Sequence, residues 1–493
     1  MALTERDLRA YDPNPSPLRV LAEQAFSRAA GAPLVGGNVV RICKDADENY
    51  PAWLDAIRGA SEKIFFENYI VADDEVGREF IDALAHRARL GVRVYALYDW
   101  MGGLGATSRN LWRPLIESGG HVRCFNPPRF DSPFAWLTRD HRKMIAVDGR
   151  VGYVSGLCVS RKWKGDPARG IEAWRDTGVE VRGPAVADIE AAFAEMWAIT
   201  GEPLSPAELT DAASIRSAGD VMLRVLASVP TLAGLYRLDQ LIAAMATKTL
   251  WLTDAYFVGI SPYVQALRAA AFDGVDVRLL VPGASDLPML SRLSRTGYRA
   301  LLEAGIRVFE WNGPMLHAKS AVADGRWARI GSTNLNIASW IGNYELDVAI
   351  EDAPLARQME ALYEQDLARA TEIVLGARRR VHPTARTGVR RRRHRGTGSA
   401  ARAAAGALRI GNTVGAAMTN RRVLGPAEAG IMTGVAFGFL AFAIVGVWWP
   451  AAIAWPLVAL AVWVSVALFI RARKLKRRPQ QETAEAAEPP ARD

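Results

Sequence analysis

The chain has 493 residues, half of them hydrophobic and 23% charged, enough for two or three domains with cores of their own. Its three cysteines, Cys43, Cys124 and Cys158, lie far apart without a CxxC pair, which argues against a disulfide framework or a zinc site and fits a reducing compartment. The formal charge of +9 hides a division: residues 1–376 hold 41 Lys and Arg against 47 Asp and Glu, residues 377–493 hold 20 against 5.

Residues 1–34 read as an N-terminal extension. Its opening "MALTERDLRAYDPN" is polar and carries acidic residues, unlike a secretory signal. From there to residue 376 the sequence repeats itself, which predicts one α/β half over 35–205 and a second over 206–376. "KIFFENYIVADDEVGREFIDALAHRARLGVRVYALYD" (63–99) matches "TLWLTDAYFVGISPYVQALRAAAFDGVDVRLLVPGASD" (249–286). In each, an apolar strand leads to a tyrosine (Tyr69, Tyr256), an amphipathic helix follows, and a Gly-Val-x-Val strand closes the unit. "GGHVRCFN" (119–126) and "AGIRVFEWN" (304–312) continue the match. Two such halves predict a pseudo-twofold molecule with one cleft at their junction.

"HRKMIAVDGRVGYVSG" (141–156) recurs as "HAKSAVADGRWARIGS" (317–332), so two of only six histidines occupy the same place in each half. Residues i and i+2 of a strand share a face, so His141 points with Lys143 and His317 with Lys319. Two imidazoles and two ammonium groups converging on one cleft suit a phosphate. The lysines neutralise its oxygens, and one histidine attacks phosphorus while the other moves a proton on the opposite side. The lysines supply the electrostatics a metal would, and no carboxylate cluster suggests a metal or other cofactor. Asp148-Gly149 and Asp324-Gly325 fall where a hairpin turn is expected, which favours a turn role for these aspartates over direct chemistry. As members of the repeated motif they stay among the candidate catalytic residues.

A histidine in this role needs an acid to fix its tautomer. "WRDTGVEVRGPAVADIEAAFAEMW" (174–197) aligns with "NYELDVAIEDAPLARQMEALYEQDL" (343–367), which sets Asp176 opposite Glu345 and makes these two the expected partners. Past residue 376 lies a basic linker, 377–428, with the run "VRRRRHRG", suited to anionic headgroups. The uncharged segment "GIMTGVAFGFLAFAIVGVWWPAAIAWPLVALAVWVSVALFI" (430–470) follows, long enough for two membrane helices over 429–470 with a break at Pro450. Arg421 and Arg422 before it and "RARKLKRR" after it put both flanks, and the catalytic part, in the cytoplasm. Residues 471–493 form a basic and then disordered tail.

The paired His-x-Lys-x-x-x-x-Asp motifs resemble the phospholipase D superfamily. "GSTNLN" after the second motif, "NYELD", "WRDTGVEVRGPAV" and "AYFV" are similar to its bacterial cardiolipin synthase branch, over residues 35 to 375 or so. The resemblance implies a covalent mechanism. His141 attacks phosphorus to give a phosphatidyl-histidine, and His317 protonates the leaving alcohol and deprotonates the incoming one. Lys143 and Lys319, joined by Ser332 and Asn334, hold the phosphoryl oxygens. The first half departs from this pattern, with Gly156 and Cys158 where the second has Ser332 and Asn334. The implied function is a membrane-anchored phosphatidyltransferase acting on a phosphatidylglycerol-like phospholipid at a bacterial inner membrane. A phospholipase D hydrolase releasing phosphatidic acid is the alternative, and the net negative catalytic part disfavours a nuclease and nucleic acid as a partner.

Overall fold

Short apolar strands alternating with amphipathic helices dictate sheets covered by helices, and the computed structural model is a mixed α/β structure of that kind. It describes residues 17–108, 110–128, 137–230, 232–286, 288–375, 381–383 and 426–485. The chain divides into two units, one of residues 1–125 and 138–402, the other of residues 126–137 and 403–493.

The first unit holds the sheets. In the first sheet, β2 (Lys63–Asn68), β3 (Arg93–Asp99) and β4 (His121–Phe125) run parallel. Antiparallel neighbours then extend it from β2 through β6 (Lys143–Val147), β7 (Val151–Ser155) and β8 (Thr177–Arg182) to β1 (Val35–Lys44). In the second, β10 (Thr249–Thr253), β11 (Asp276–Pro282) and β12 (Arg307–Trp311) are the parallel set. β13 (Ser320–Ala323), β14 (Trp327–Gly331), β15 (Asn343–Glu351) and β9 (Val221–Ser228) continue from β10 in the same antiparallel sense. Strand order and direction are therefore the same in both over seven strands. β16 (Ala370–Leu375) adds to β12, and β17 (Val381–Pro383) pairs with β16. β1 belongs to both sheets, since Val35 and Asn38 pair with β9 before Val39–Lys44 pair with β8.

One apolar core contains residues of both sheets, among them Phe65, Val154, Leu316 and Ile330, together with the helices Val186–Ile199 and Ala353–Leu367. Two further cores lie under the helices Asp45–Gly59 and Glu75–Arg89 on the first sheet, and under Gly234–Met245 and Ser261–Phe272 on the second. Inside the span expected as an extension, Pro17–Ala30 is a helix. Its Glu23 pairs with buried Arg224 on β9, which also donates to Ser27 at 2.9 Å.

The second unit contributes the helices Pro426–Trp448 and Pro450–Glu485, which break where Pro450 predicts. Pro450–Ile470 is long and apolar enough to cross a membrane; in the first helix the apolar stretch that qualifies, Ala436–Trp448, is shorter. The basic linker expected over 377–428 falls almost wholly outside the described residues, as does the end of the tail from 486.

Candidate active site

The antiparallel pairing of β6 with β2 sets Lys143 opposite Asn68, so the first motif begins at the carboxyl end of the parallel strands. β13 does the same on β10, with Ser320 opposite Thr253. Just before each motif the chain crosses to the other sheet. β5 (Arg139–Asp140) runs parallel to the start of β15, and the His141 N–H donates to the Tyr344 carbonyl at 2.9 Å. Reciprocally, Arg175 bridges to Leu316, and the His317 N–H donates to the Arg175 carbonyl at 2.7 Å.

These crossings deliver each histidine to an acid of the opposite sheet. His141 Nδ1 lies 2.8 Å from Glu345 Oε2, and His317 Nδ1 lies 2.7 Å from Asp176 Oδ2. Both acids picked out by the alignment thus contact a histidine, each of them one from the opposite half. Both acids are fully buried, and the histidines are 8% and 5% exposed. With Nδ1 held, Nε2 is the ring nitrogen left for chemistry. Lys143 Nζ donates to the His141 carbonyl at 2.5 Å, and Lys319 Nζ donates to the His317 carbonyl.

The acids have different supports. Ser332 donates its hydroxyl to Glu345 Oε2 at 2.6 Å and accepts the Leu346 N–H at 3.0 Å, so this residue, expected on phosphate, braces the acid behind His141. Asn334 is 4% exposed. Opposite, Asp176 accepts the indole N–H of Trp163 at 2.8 Å and the Thr177 N–H at 2.8 Å.

Burial and three neighbouring cations depress the rings. Burial, then Lys143, Lys319 and Arg139, holds His141 well below the usual histidine range, and burial with Lys319 takes His317 to about 4. Burial and the neighbouring Lys143 also lower Lys319 to about 8. The acids diverge. Burial lifts Glu345 to about 7 despite Lys143 and Ser332, whereas at Asp176 the His317 and Lys319 charges and the indole outweigh burial and hold the carboxyl below its ordinary value. Negative charge brought between the lysines would offset the repulsion that lowers the rings.

Residues 239–367 match the family described as "Cardiolipin synthase, PLD-like domain". A cardiolipin synthase of Halalkalibacterium halodurans is 32% identical over 354 residues, covering 70% of this chain and 69% of that one. The chain belongs to the phospholipase D superfamily, in its cardiolipin synthase-like branch. Cardiolipin synthase A of Pseudomonas fluorescens is 31% identical over 360 residues, 71% of this chain and 73% of its own. A crystal structure of phosphatidylserine synthase from Haemophilus influenzae superposes with a TM-score of 0.57 at 16% identity, over 71% of this chain and 92% of that one, a likeness of fold.

Two motif residues of this cardiolipin synthase-like chain lie at the turns and away from the lysines. Asp148 and Asp324 lie at the far ends of β6 and β13 from their lysines, both with φ near +50° (53 and 52) in the turn that precedes Gly149 and Gly325. Asp148 accepts the backbone N–H groups of Ser61, Glu62 and Lys63 at 2.8–2.9 Å; Asp324 does the same for Thr247, Lys248 and Thr249 at 2.7–2.9 Å. They tie each hairpin to the start of the neighbouring strand.

Other site residues escaped the sequence reading. The Tyr69 ring packs edge-on to His141 at 4.8 Å and Tyr256 edge-on to His317 at 5.8 Å. Their position at matched strand ends was the available signal. Trp163 and Trp174 flank His317, with centroids 5.1 and 5.8 Å away, and nothing in the second half marks them because it has no counterpart.

Proposed function

We propose that this protein is a membrane-anchored phosphatidyltransferase that moves a phosphatidyl group from one phosphatidylglycerol-like lipid to the alcohol of another. The matched strand orders support reading the two sheets as duplicated halves around one cleft. The observation that carries the proposal is the crossed pairing of His141 with Glu345 and His317 with Asp176, which assembles one centre from both sheets. In the first step His141 Nε2 attacks phosphorus, the bond to the glycerol oxygen breaks, and His317 gives that oxygen its proton. In the second, His317 takes the proton of the acceptor hydroxyl, the acceptor oxygen attacks phosphorus, and the bond to His141 breaks. Lys143 and Lys319 hold the phosphoryl oxygens, with Asn334 beside them, while Ser332 acts through Glu345.

The division of labour follows the acids. A nucleophile must be neutral, which suits His141, held well below the usual histidine range beside a carboxyl that burial raises to about 7. A proton donor must tolerate the imidazolium, which an ionised Asp176 stabilises at His317. The apolar C-terminal helices form the anchor as a hairpin with the basic flanks, and the catalytic unit, on the cytoplasmic side of the inner membrane. The test is incubation of purified protein with labelled phosphatidylglycerol in mixed micelles. Cardiolipin with free glycerol is the expected result. Phosphatidic acid alone makes the enzyme a hydrolase, and DNA cleavage without lipid turnover overturns the lipid reading.

A further inference from the structure

Transfer to a lipid differs from hydrolysis in one requirement: the acceptor brings a second phosphodiester that must be held while its hydroxyl reaches the phosphohistidine. We propose that Lys162, on the short turn Arg161–Lys164, holds that second phosphodiester. The inference rests on the transferase reading above.

The turn stands beside the proton-transferring histidine. The Lys162 ammonium lies 5.9 Å from the ring centre of half-buried Trp174, and that ring lies 5.8 Å from the imidazole of His317. Ammonium and imidazole are therefore no more than about 12 Å apart. An acceptor with its hydroxyl on His317 and its phosphodiester on Lys162, with a hydrogen bond of about 3 Å at either end, is within that bound. Leaving and incoming alcohols both meet His317, so this is the side on which the rest of the acceptor must lie.

The turn is built to keep its place. The Ser160 hydroxyl and the Arg161 N–H both donate to Asp74 Oδ2, at 2.9 and 2.8 Å. Trp163 is buried with its indole on Asp176. The arginines on and after it are paired: Arg161 with Glu75, Arg169 with Asp166, and Arg175 with Asp45 and Asp366. Lys162 and Lys164 are exposed and, among the described residues, have no carboxylate partner. The equivalent stretch of the second half, "STNLNIASWIG" between β14 and β15, contains no charge at all. Of these two equivalent stretches, the one on the His317 side thus carries free cations and the other none, as an acceptor site requires and a symmetric phosphate clamp does not.

The full chain is assayed on labelled phosphatidylglycerol as Lys162→Ala, Lys162→Glu and Lys162→Arg, reading the ratio of cardiolipin to phosphatidic acid. The ratio falls about fivefold for alanine, as for loss of one solvent-exposed charge-assisted contact, falls further for glutamate and is restored by arginine. An unchanged ratio in Lys162→Glu overturns the assignment. The same series is run on a short-chain phosphatidylglycerol below its micellar concentration. A fall seen only with micelles makes Lys162 a contact to the lipid surface and also overturns it. Wild-type protein that yields no cardiolipin refutes the transferase reading itself, and the acceptor site with it.

Discussion

Gly156 stands against the carboxylate of Asp176: a Cβ at that position would lie 2.2 Å from Oδ1. The matching position in the second half is Ser332, whose hydroxyl donates to Glu345. No serine fits beside Asp176, and the donor comes instead from the indole of Trp163, a group that donates and cannot accept. The two histidine–acid pairs are alike in sequence position and unlike in support.

Trp163→Phe keeps the ring and removes the N–H. Asp176 loses a donor to its charged form, so its pKa rises and its hold on the His317 imidazolium weakens. We expect kcat to fall about tenfold, the usual scale for a charge-assisted hydrogen bond, with KM little changed. The pH profile of kcat should also move, which a purely structural loss would not produce. Gly156→Ser should do more damage, since the added side chain displaces the carboxylate instead of bracing it. An unshifted profile in Trp163→Phe would count against the role of the indole.

The nucleophile and the proton donor can be separated with an activated leaving group. His317→Ala should fail on phosphatidylglycerol yet still accumulate phosphoenzyme from a phosphatidyl nitrophenyl ester, whose departure needs no proton. His141→Ala should form none from either. Alkaline quenching preserves a phosphorus–nitrogen bond, and radiolabel retained on the chain reports it. Phosphoenzyme in His141→Ala and none in His317→Ala would reverse the assignment.

The pH dependence of stability carries opposite signs at the two ends of the site. The folded chain depresses His317 from 6.5 to about 4, so its contribution is complete above pH 6.5 and is lost as pH falls through 4. It raises Glu345 from 4.5 to about 7, so that contribution is complete below pH 4.5 and is lost as pH rises through 7. Glu345→Gln stays neutral throughout. Its melting temperature relative to the native chain should therefore improve between pH 5 and pH 8, while His317→Gln should improve on the native chain as pH drops from 7 to 5. Thermal unfolding at fixed ionic strength measures both, and a constant offset across pH for either variant refutes the corresponding shift.

Much of the candidate site was legible where the repeat wrote it twice, although Tyr69 and Tyr256, also written twice, were read only as strand ends. His141 with Lys143 and His317 with Lys319 follow from strand periodicity, and Asp176 with Glu345 from aligning one half on the other. That alignment gave the acids but not their crossing, because which acid meets which histidine depends on β5 pairing with β15 and on Arg175 bridging to Leu316, contacts between residues far apart in sequence. Trp163 was hidden for another reason. It sits on a four-residue helix thirteen positions before Asp176, with no periodic pattern and no twin. Ser332 was visible as a motif residue, but only packing reveals that its hydroxyl turns to Glu345.

Asp148 and Asp324 offer the clearest separation of fold from chemistry. Each carboxylate accepts three backbone N–H groups and one side-chain hydroxyl, from Ser61 or Thr247, and the backbone bonds hold its pKa below the ordinary value against partial burial. Each also occupies a left-handed conformation that aspartate and asparagine tolerate better than alanine. Removing the acceptor should cost about 1–3 kcal/mol, with solvent making good part of the loss at these half-exposed turns. Asp148→Asn should lose less than Asp148→Ala, since the amide oxygen still accepts and the backbone angle stays tolerable. Well below their melting temperatures both should turn over substrate within about twofold of the native rate, because the turn lies about five residues of strand, roughly 16 Å, from Lys143. Denaturant unfolding beside steady-state kinetics checks this, and a kcat that collapses while the unfolding midpoint holds would return these aspartates to the chemistry.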